Sequence, residues 1–340
     1  MKLYWNRGDY DWQPERYKYS VEQMMLTLFP GERPEYPEEP AGAGEDWARF
    51  AVTPGEKWVT VTAQVAREGR QAQGRARFPR EKLDEPAEKV YHTVQHGLKM
   101  AFYRAGVTLL GQEPPWGALT GVRPVKLPTR AMLAGATPRQ AQLELERDFR
   151  VSPVRASLAV DCAKASLAVD RDLRDDQVSV YIGVPFCPTR CAYCSFVSAD
   201  VGRTLKLVEP YLEGVLREIA VTGESLRRAG KTVHSLYVGG GTPTTLSASQ
   251  LSQLLEAVHR ELPVEHCVEY TVEAGRPDTI DREKLLALRE AGIGRISINP
   301  QTLEDPVLQA IGRRHSAKDI LDAYALAREV GFDSINMDLI

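Results

Sequence analysis

Three cysteines within eight positions are the residues of this sequence whose spacing indicates chemistry. Cys187, Cys191 and Cys194 form a C-x3-C-x2-C arrangement directly after an apolar stretch at residues 178–184. Three thiolates on one short loop can hold three irons of a [4Fe–4S] cluster, which leaves the fourth iron open to a small molecule. A structural zinc site is disfavoured because it needs a fourth Cys or His nearby, and none follows. We therefore predict a catalytic iron–sulfur cluster on this loop.

The remaining cysteines, Cys162 and Cys267, stand apart from this loop. A total of five cysteines, three of them clustered, suits a metal site in a reducing compartment better than a disulfide framework. We predict that Cys162 and Cys267 are small buried apolar side chains, because that is the usual role of an isolated cysteine.

The overall composition is that of a water-soluble protein with two domains. The 43 Lys and Arg residues are balanced by 46 Asp and Glu residues, so the net charge of -3 provides no general attraction for nucleic acid or an anionic membrane. The sequence contains no run of about 20 apolar residues, so it predicts no membrane span. Residues 1–16 are polar and aromatic and do not resemble a secretion signal. We therefore predict a cytoplasmic protein whose overall charge does not favour nucleic acid as a partner.

The second half of the chain alternates strand and helix patterns, which predicts a parallel sheet in either a barrel or an open form. Ser247 with Gln250 forms a capping box, Asp281 can cap the next helix, and Gly292 and Gly331 lie where helices should end. Such sheets place their active sites at the carboxyl ends of the strands, where the cysteine loop lies. The predicted strands are residues 178–184, 233–238, 268–272, 295–299 and 334–339.

The first half predicts a smaller α+β domain, with a helical connector, over residues 1–170. Alternating apolar residues at 47–52, 58–65 and 71–78 indicate an antiparallel meander, and a helix is expected at 86–103. Residues 114–124 are rich in Pro and Gly and predict an ordered loop, followed by helices that begin at Pro138 and Pro153. We predict a parallel βα barrel over residues 171–340. Because the chain stops at Ile340, on the fifth predicted strand, we expect this barrel to be incomplete and the rest of the protein to be missing from the sequence.

Several short motifs of the second half carry a family resemblance. An aromatic residue, Tyr193, precedes the last cysteine of the cluster motif, as in the radical S-adenosylmethionine superfamily. The spacing of the motifs resembles the oxygen-independent coproporphyrinogen III oxidase group, and WGALTGVRP at residues 116–124 and TVEAGRPD at residues 271–278 are similar to its HemZ-type coproporphyrinogen dehydrogenases. The motifs are YIGVPFC at 181–187, GGGTPT at 239–244, Glu273, Gln301, IGRRH at 311–315 and INMD at 335–338.

The resemblance implies a radical-SAM partial barrel that holds a [4Fe–4S] cluster and S-adenosylmethionine. In it Glu273 takes the ammonium of S-adenosylmethionine, Arg313 its carboxylate, and Gln301 and Asp338 its ribose, while residues 239–241 allow close backbone approach. The implied cluster ligands are Cys187, Cys191 and Cys194. The implied cofactor-binding residues are Tyr181, Tyr193, Gly240, Gly241, Thr242, Glu273, Gln301, Arg313 and Asp338.

The implied activity is the anaerobic dehydrogenation of coproporphyrinogen III in haem biosynthesis. A 5'-deoxyadenosyl radical would remove a hydrogen from a propionate, and loss of carbon dioxide would leave a vinyl group. The resemblance implies a porphyrinogen substrate, a one-electron donor of unknown identity, and no catalytic side chain beyond the cluster and the cofactor.

One departure from the group leaves alternatives open. Its best-established members carry a fourth cysteine two positions after the third, whereas Cys194 is followed here by Ser195 and Phe196. Relatives that lack this cysteine include proteins thought to bind or insert haem, so a haem-binding or haem-transfer protein is one alternative. A radical enzyme acting on another substrate, such as tRNA, is the other, although the acidic chain does not favour RNA.

Two further features of the first half are candidates for binding a metal ion or an anion. His92 and His96 lie one helical turn apart with Glu88 on the same face, and we interpret them as surface residues because no second source of metal ligands is nearby. Arg123 is a candidate anion-binding residue in a rigid loop, and an ion pair between this loop and the barrel is an equal alternative.

Overall fold

The structure is a computed structural model that describes residues 1–6, 8, 12–39, 41–42, 44–121, 123–196, 198–332 and 334–339. It divides into two compact units, Met1–Asp172 and Leu173–Ile340. In the described part of the chain, no helix is long and apolar enough to cross a membrane.

The first unit is built on a mixed sheet, whose described strands follow the order β1-β2-β3-β4. The three antiparallel strands β2, β3 and β4 form the predicted meander, and alternate residues such as Phe50 and Val61 are buried. The parallel strand β1 was not predicted from the sequence. The strands are β1 Lys2–Asn6, β2 Trp47–Pro54, β3 Trp58–Arg67 and β4 Arg70–Pro79.

Helices cover one face of this sheet. A Cβ atom at Gly74 would lie 1.9 Å from the carbonyl oxygen of Ala101, so the long helix α2 contacts strand β4 through backbone atoms. Helix α2 ends at Leu110, seven residues beyond its predicted end at 103, and Gly111 caps it in the left-handed conformation with φ 72°. The predicted start of a helix at Pro138 is confirmed, with Thr137 as its cap, but α3 was missed because Pro128 interrupts its pattern. The helices are α1 Lys18–Leu28, α2 Ala87–Leu110, α3 Lys126–Leu133, α4 Pro138–Phe149 and α5 Pro153–Asp172.

The second unit contains the predicted parallel sheet, whose described strands follow the order β11-β10-β9-β8-β5. Strands β10 and β11 are shorter than predicted, because residues 298–299 and 337–339 already belong to loops at the carboxyl edge. The strands are β5 Gln177–Val184, β6 Phe186–Cys187, β7 Ala199–Asp200, β8 Thr232–Gly240, β9 Glu269–Glu273, β10 Arg295–Ser297 and β11 Ser334–Asn336.

Helices alternate with these strands, and each of the longer ones buries one apolar face. The Ser247 capping box, the Asp281 cap and the left-handed Gly331 at the end of α11 are confirmed. The helices are α6 Val201–Thr204, α7 Val208–Arg228, α8 Ala248–Glu261, α9 Arg282–Glu290, α10 Asp305–Ala310 and α11 Ala317–Val330. Short 3-10 helices lie at Pro14–Tyr17, Arg80–Asp84, Leu205–Leu207, Pro243–Thr245 and Pro277–Thr279.

The prediction that Cys162 is buried is wrong. Helix α5 buries the face that carries Ala156, Ala159 and Ala163, and Cys162 lies on its exposed side. Cys267 is half-buried, its thiol donates to the carbonyl oxygen of Glu269 at 3.2 Å, and burial raises its pKa. The two isolated cysteines therefore differ in accessibility.

Candidate active site

The cysteine loop is held in place by backbone hydrogen bonds to the segment between α10 and α11. The amide of Ala192 donates to the carbonyl oxygen of Ile311 at 3.0 Å, and the Thr189 hydroxyl donates to that of Gly312 at 2.8 Å. The Cys194 amide donates to the Cys191 carbonyl at 3.1 Å, which closes a turn around the motif. The loop is therefore ordered by contacts that involve its backbone.

The glycine motif after strand β8 allows two backbone segments to pack against each other. A Cβ atom at Gly241 would lie 2.5 Å from the carbonyl oxygen of Phe186, and Gly240 has φ 105°. The Thr242 amide donates to the same Phe186 oxygen at 2.7 Å, and the Thr242 hydroxyl lies 3.5 Å from the Cys187 thiol. These glycines therefore bring strand β8 against the cysteine loop.

One cavity of about 200 Å³ collects the residues that the sequence singled out. Its wall includes the three cysteines and every predicted cofactor-binding residue except Tyr181. Tyr181 is 58% exposed and stacks on Tyr237 with ring centroids 5.9 Å apart. The lining residues are Cys187, Cys191, Tyr193, Cys194, Phe196, Gly240, Gly241, Thr242, Glu273, Gly275, Arg276, Asn299, Gln301, Arg313 and Asp338.

A carboxylate and a phenol form a short hydrogen bond in this wall. The Tyr237 hydroxyl donates to Oε1 of Glu273 at 2.5 Å. Burial raises the pKa of Glu273, and the negative charge of Asp338 adds to this effect, although the hydrogen bond from Tyr237 opposes it. Burial also raises the pKa of Tyr237, so this hydroxyl stays protonated as a donor. An ammonium group in the cavity would offset the desolvation cost of the charged Glu273 carboxylate.

Arg313, another residue of this wall, is almost fully buried, with 6% of its surface exposed. Its Nη1 donates to the Asn299 carbonyl oxygen at 2.6 Å, and its Nη2 donates to the Tyr193 hydroxyl at 3.1 Å. Nε of Arg313 and Oδ1 of Asn299 are buried without a hydrogen-bond partner among the described residues. The wall therefore retains one unused donor and one unused acceptor.

The loops after strands β10 and β11 meet at Gln301 and Asp338. The backbone amide of Gln301 donates to the backbone carbonyl oxygen of Asp338 at 2.9 Å. Gln301 is buried and has φ 69°, a conformation that a non-glycine residue adopts at a cost of roughly 1 kcal/mol. Strained backbone of this kind is concentrated at functional sites.

A second arginine, which we did not predict as a site residue, contacts the cluster motif. Arg276 is 3% exposed, and its Nη1 lies 3.7 Å from the Cys191 thiol, while its Nη2 donates to the Thr189 hydroxyl at 3.0 Å. Asp278 holds this guanidinium at 3.2 Å and accepts from Nδ1 of His315 at 3.3 Å. Burial alone would raise the pKa of Asp278, but the His315 hydrogen bond and the Arg276 charge lower it to about 2. Arg276 and Asp278 lie in the TVEAGRPD motif and His315 ends the IGRRH motif, but neither motif indicated a contact with the cysteine loop.

The thiols do not converge on one point. Among the described residues, no group of three His, Cys, Asp or Glu side chains is placed to hold a single metal ion. In a [4Fe–4S] cluster each cysteine binds a different iron, so its ligands surround the cluster without meeting at one ion. The arrangement of Cys187, Cys191 and Cys194 around one cavity is compatible with that mode of ligation.

Comparison with known proteins finds a family model and several relatives that are similar to the second unit. Residues 181–340 match the model of the Radical SAM superfamily, whose members bind a [4Fe–4S] cluster and S-adenosylmethionine. The oxygen-independent coproporphyrinogen-III oxidase-like protein HemZ of Bacillus subtilis is 38% identical over 311 residues, which are 89% of this chain and 61% of that protein. The heme chaperone HemW of the same organism is 39% identical over 163 residues, which are 47% of this chain and 41% of HemW.

Among solved structures, the coproporphyrinogen III oxidase HemN of Escherichia coli matches 52% of this chain and 40% of its own, with 29% identity and a TM-score of 0.44. The chain thus spans 61% of the length of HemZ, 41% of HemW and 40% of HemN. The family model covers the cysteine loop, the second half of strand β5 and the other four strands of the parallel sheet among the described residues. The match to the Radical SAM superfamily model therefore extends over residues 181–340 of the chain.

Proposed function

We propose that the cavity of the second unit binds a [4Fe–4S] cluster through Cys187, Cys191 and Cys194, with S-adenosylmethionine beside it. The observation that carries this proposal is that three thiols, a desolvated carboxylate and a buried guanidinium line one cavity. Its enclosed part, about 200 Å³, is smaller than typical ligand pockets of 300–1,000 Å³. S-adenosylmethionine would therefore extend beyond it toward the exposed Tyr181.

Each end of S-adenosylmethionine has a complementary group in this wall. Glu273 receives the ammonium, which removes the cost of its buried negative charge. Arg313, with one donor unused, receives the carboxylate as a charge-assisted pair. Gln301 and Asp338 supply acceptors for the ribose hydroxyls from the two loops that meet at the sheet edge. When bound, the cluster and the cofactor supply one-electron chemistry that removes a hydrogen atom from a substrate.

We further propose that the reaction is the oxygen-independent dehydrogenation of coproporphyrinogen III, with decarboxylation of propionates to vinyl groups. The similarity to HemZ supports this reaction because it extends over both units of the chain, whereas the similarity to HemW covers only about half of it. An external one-electron donor would reduce the cluster, and an external electron acceptor would take up the electron that the substrate radical gives up as carbon dioxide leaves. In this proposal the chain's own residues bind, orient and shield the reactants, and none of them acts as a separate catalyst.

A haem-handling role is the second candidate, and one feature of the cysteine loop favours it. Cys194 is followed by Ser195 and Phe196 rather than by a fourth cysteine, and the Phe196 ring is 60% exposed at the cavity wall. An exposed aromatic ring can stack on a flat tetrapyrrole. The similarity to HemW over 163 residues supports the same role.

One anaerobic assay separates the two candidates. The reconstituted protein, reduced with dithionite, would receive S-adenosylmethionine and coproporphyrinogen III while 5'-deoxyadenosine and protoporphyrinogen are followed together. The dehydrogenase proposal predicts both products, and it predicts that both are lost in Cys191→Ala. A Cys162→Ala variant is the matched control, because this exposed cysteine lies outside the cavity. Tight haem binding with no porphyrinogen product would favour the haem-handling candidate instead.

A further inference from the structure

A second polar cavity lies entirely within the first unit, and nothing above assigns it a function. It has a volume of about 510 Å³ and is formed by helix α2, the loop that follows it, helix α3 and the end of α4. Its lining includes four cationic residues and no acidic residue among the described ones. The cationic residues are Lys99, Arg123, Lys126 and Arg130.

Lys99 is the cation that the fold holds deepest in this wall. Its ammonium donates to the Thr120 hydroxyl at 2.7 Å, and it makes no ion pair with any described carboxylate. Burial lowers its pKa, which shows that the charged form is desolvated without compensation. A half-buried ammonium without a counter-charge is costly, and a bound anion would remove that cost.

The other three cations surround the mouth of the cavity. Lys126 and Arg130 lie one turn apart on helix α3, where like charges repel, and Arg123 lies in the loop just before them. In the described part of the chain, the side chains of all three lack hydrogen-bond and ion-pair partners. Three unpaired positive charges at one opening create a local positive potential on an otherwise acidic protein.

Apolar and aromatic groups complete the wall. His96 lies edge-on to the Phe149 ring with centroids 5.3 Å apart, and Leu119 and Leu127 line the same cavity. Burial lowers the pKa of His96, which keeps its ring in the neutral form at physiological pH. The cavity therefore combines an apolar part with a cationic rim, and its volume lies in the range of ligand pockets.

We propose that this cavity binds a small organic polyanion, with its carboxylate or phosphate groups on Lys99, Arg123, Lys126 and Arg130 and its body against Phe149. Two sources share this chemistry, a polycarboxylate tetrapyrrole and a nucleoside polyphosphate. The proposal does not depend on the function of the second unit, since every residue named belongs to the first unit.

The test is a binding titration of the full chain with coproporphyrin III, ATP and inorganic tripolyphosphate, each added alone. Coproporphyrin binding is read by fluorescence and the other two by calorimetry. We expect saturable binding of at least one probe, weakened about tenfold by Lys99→Met or Arg130→Gln, because each removes one charge-assisted contact. Arg139→Gln, which removes an exposed arginine from neighbouring helix α4, should change affinity by less than about twofold.

The outcomes are distinct. Binding of coproporphyrin alone assigns a polycarboxylate, and binding of ATP with tripolyphosphate assigns a polyphosphate. Weaker binding in Lys99→Met and in Arg130→Gln separates this cavity from the candidate active site, because both residues belong to the first unit. Because Arg130 is exposed, Arg130→Gln keeps the test valid even if Lys99→Met does not fold. No saturable binding of any probe, or binding that both variants leave unchanged, would overturn the proposal.

Discussion

Replacing Asp278 with asparagine should loosen the cysteine loop of the second unit. The Asp278 carboxylate holds the Arg276 guanidinium at 3.2 Å, and this guanidinium contacts Cys191 and Thr189. Asparagine keeps the size of the side chain but removes its charge. Arg276, with 3% of its surface exposed, then becomes a buried cation without its counter-charge.

The size of the effect follows from the pKa of Asp278, which the fold lowers from 3.8 to about 2. A shift of that size corresponds to about 2.5 kcal/mol at neutral pH. Because 24% of the side chain is exposed, screening reduces the expected loss to about 1–2 kcal/mol. The folded pKa is lowered, so this stabilisation is complete above the unfolded pKa near 3.8 and disappears as the pH falls toward 2.

Amide hydrogen exchange resolved by peptide is the suitable assay, because all five tryptophans lie in the first unit and their fluorescence reports only on it. In the variant, peptides that cover residues 186–196 and 274–281 should exchange about tenfold faster at pH 7. Asp281→Asn is the matched control. It removes a nearby charge, but asparagine caps helix α9 nearly as well as aspartate.

Two results would refute this reasoning. One is equal exchange of the loop in the wild-type protein and in Asp278→Asn. The other is an equal acceleration in Asp281→Asn, which would show that any lost carboxylate in this segment has the same effect. The difference between wild type and Asp278→Asn should also shrink between pH 5 and pH 2.

Three shorter predictions concern other parts of the chain. Gly241→Ala should lower the stability of the second unit by about 1–3 kcal/mol, because the new Cβ would lie 2.5 Å from a carbonyl oxygen. Gly294→Ala is the control, because its Cβ would have no atom within 4 Å, and it should leave the stability unchanged. Hydrogen exchange measures both effects. Native thiol labelling should modify the exposed Cys162 faster than Cys267, whose pKa is raised by burial; equal rates would contradict the burial described here. Ser247→Ala should cost about 1 kcal/mol through loss of the α8 cap, and unchanged exchange in α8 would contradict this.

Local signals in the sequence predicted most of the fold. Helix caps depend on residues within one turn, so Ser247, Asp281 and Gly331 could be assigned without tertiary information. Parallel strands share one carboxyl edge, so residues far apart in the chain could be predicted to lie at the same edge as the cysteine loop. The structure collects them in one cavity there. Strand β1 was missed because its parallel pairing joins Lys2 to Trp47, a contact that no local pattern reveals.

The Arg276 network could not be predicted for the same reason. Arg276 is 85 positions from Cys191, and Asp278 is 37 positions from His315. Each of these charged residues, taken alone in the sequence, is equally typical of a solvated surface. These residues come together only because three segments pack against each other. The segments are the cysteine loop, the loop after strand β9 and the segment between α10 and α11.

The central claim is that Cys187, Cys191 and Cys194 hold a [4Fe–4S] cluster to which S-adenosylmethionine binds directly. The most direct measurement is the electron paramagnetic resonance spectrum of the anaerobically reconstituted and reduced protein, recorded with and without S-adenosylmethionine. We expect a reduced-cluster signal that changes when S-adenosylmethionine is added and is lost in Cys191→Ala. A signal that S-adenosylmethionine leaves unchanged, or a protein that incorporates no cluster, would contradict the account.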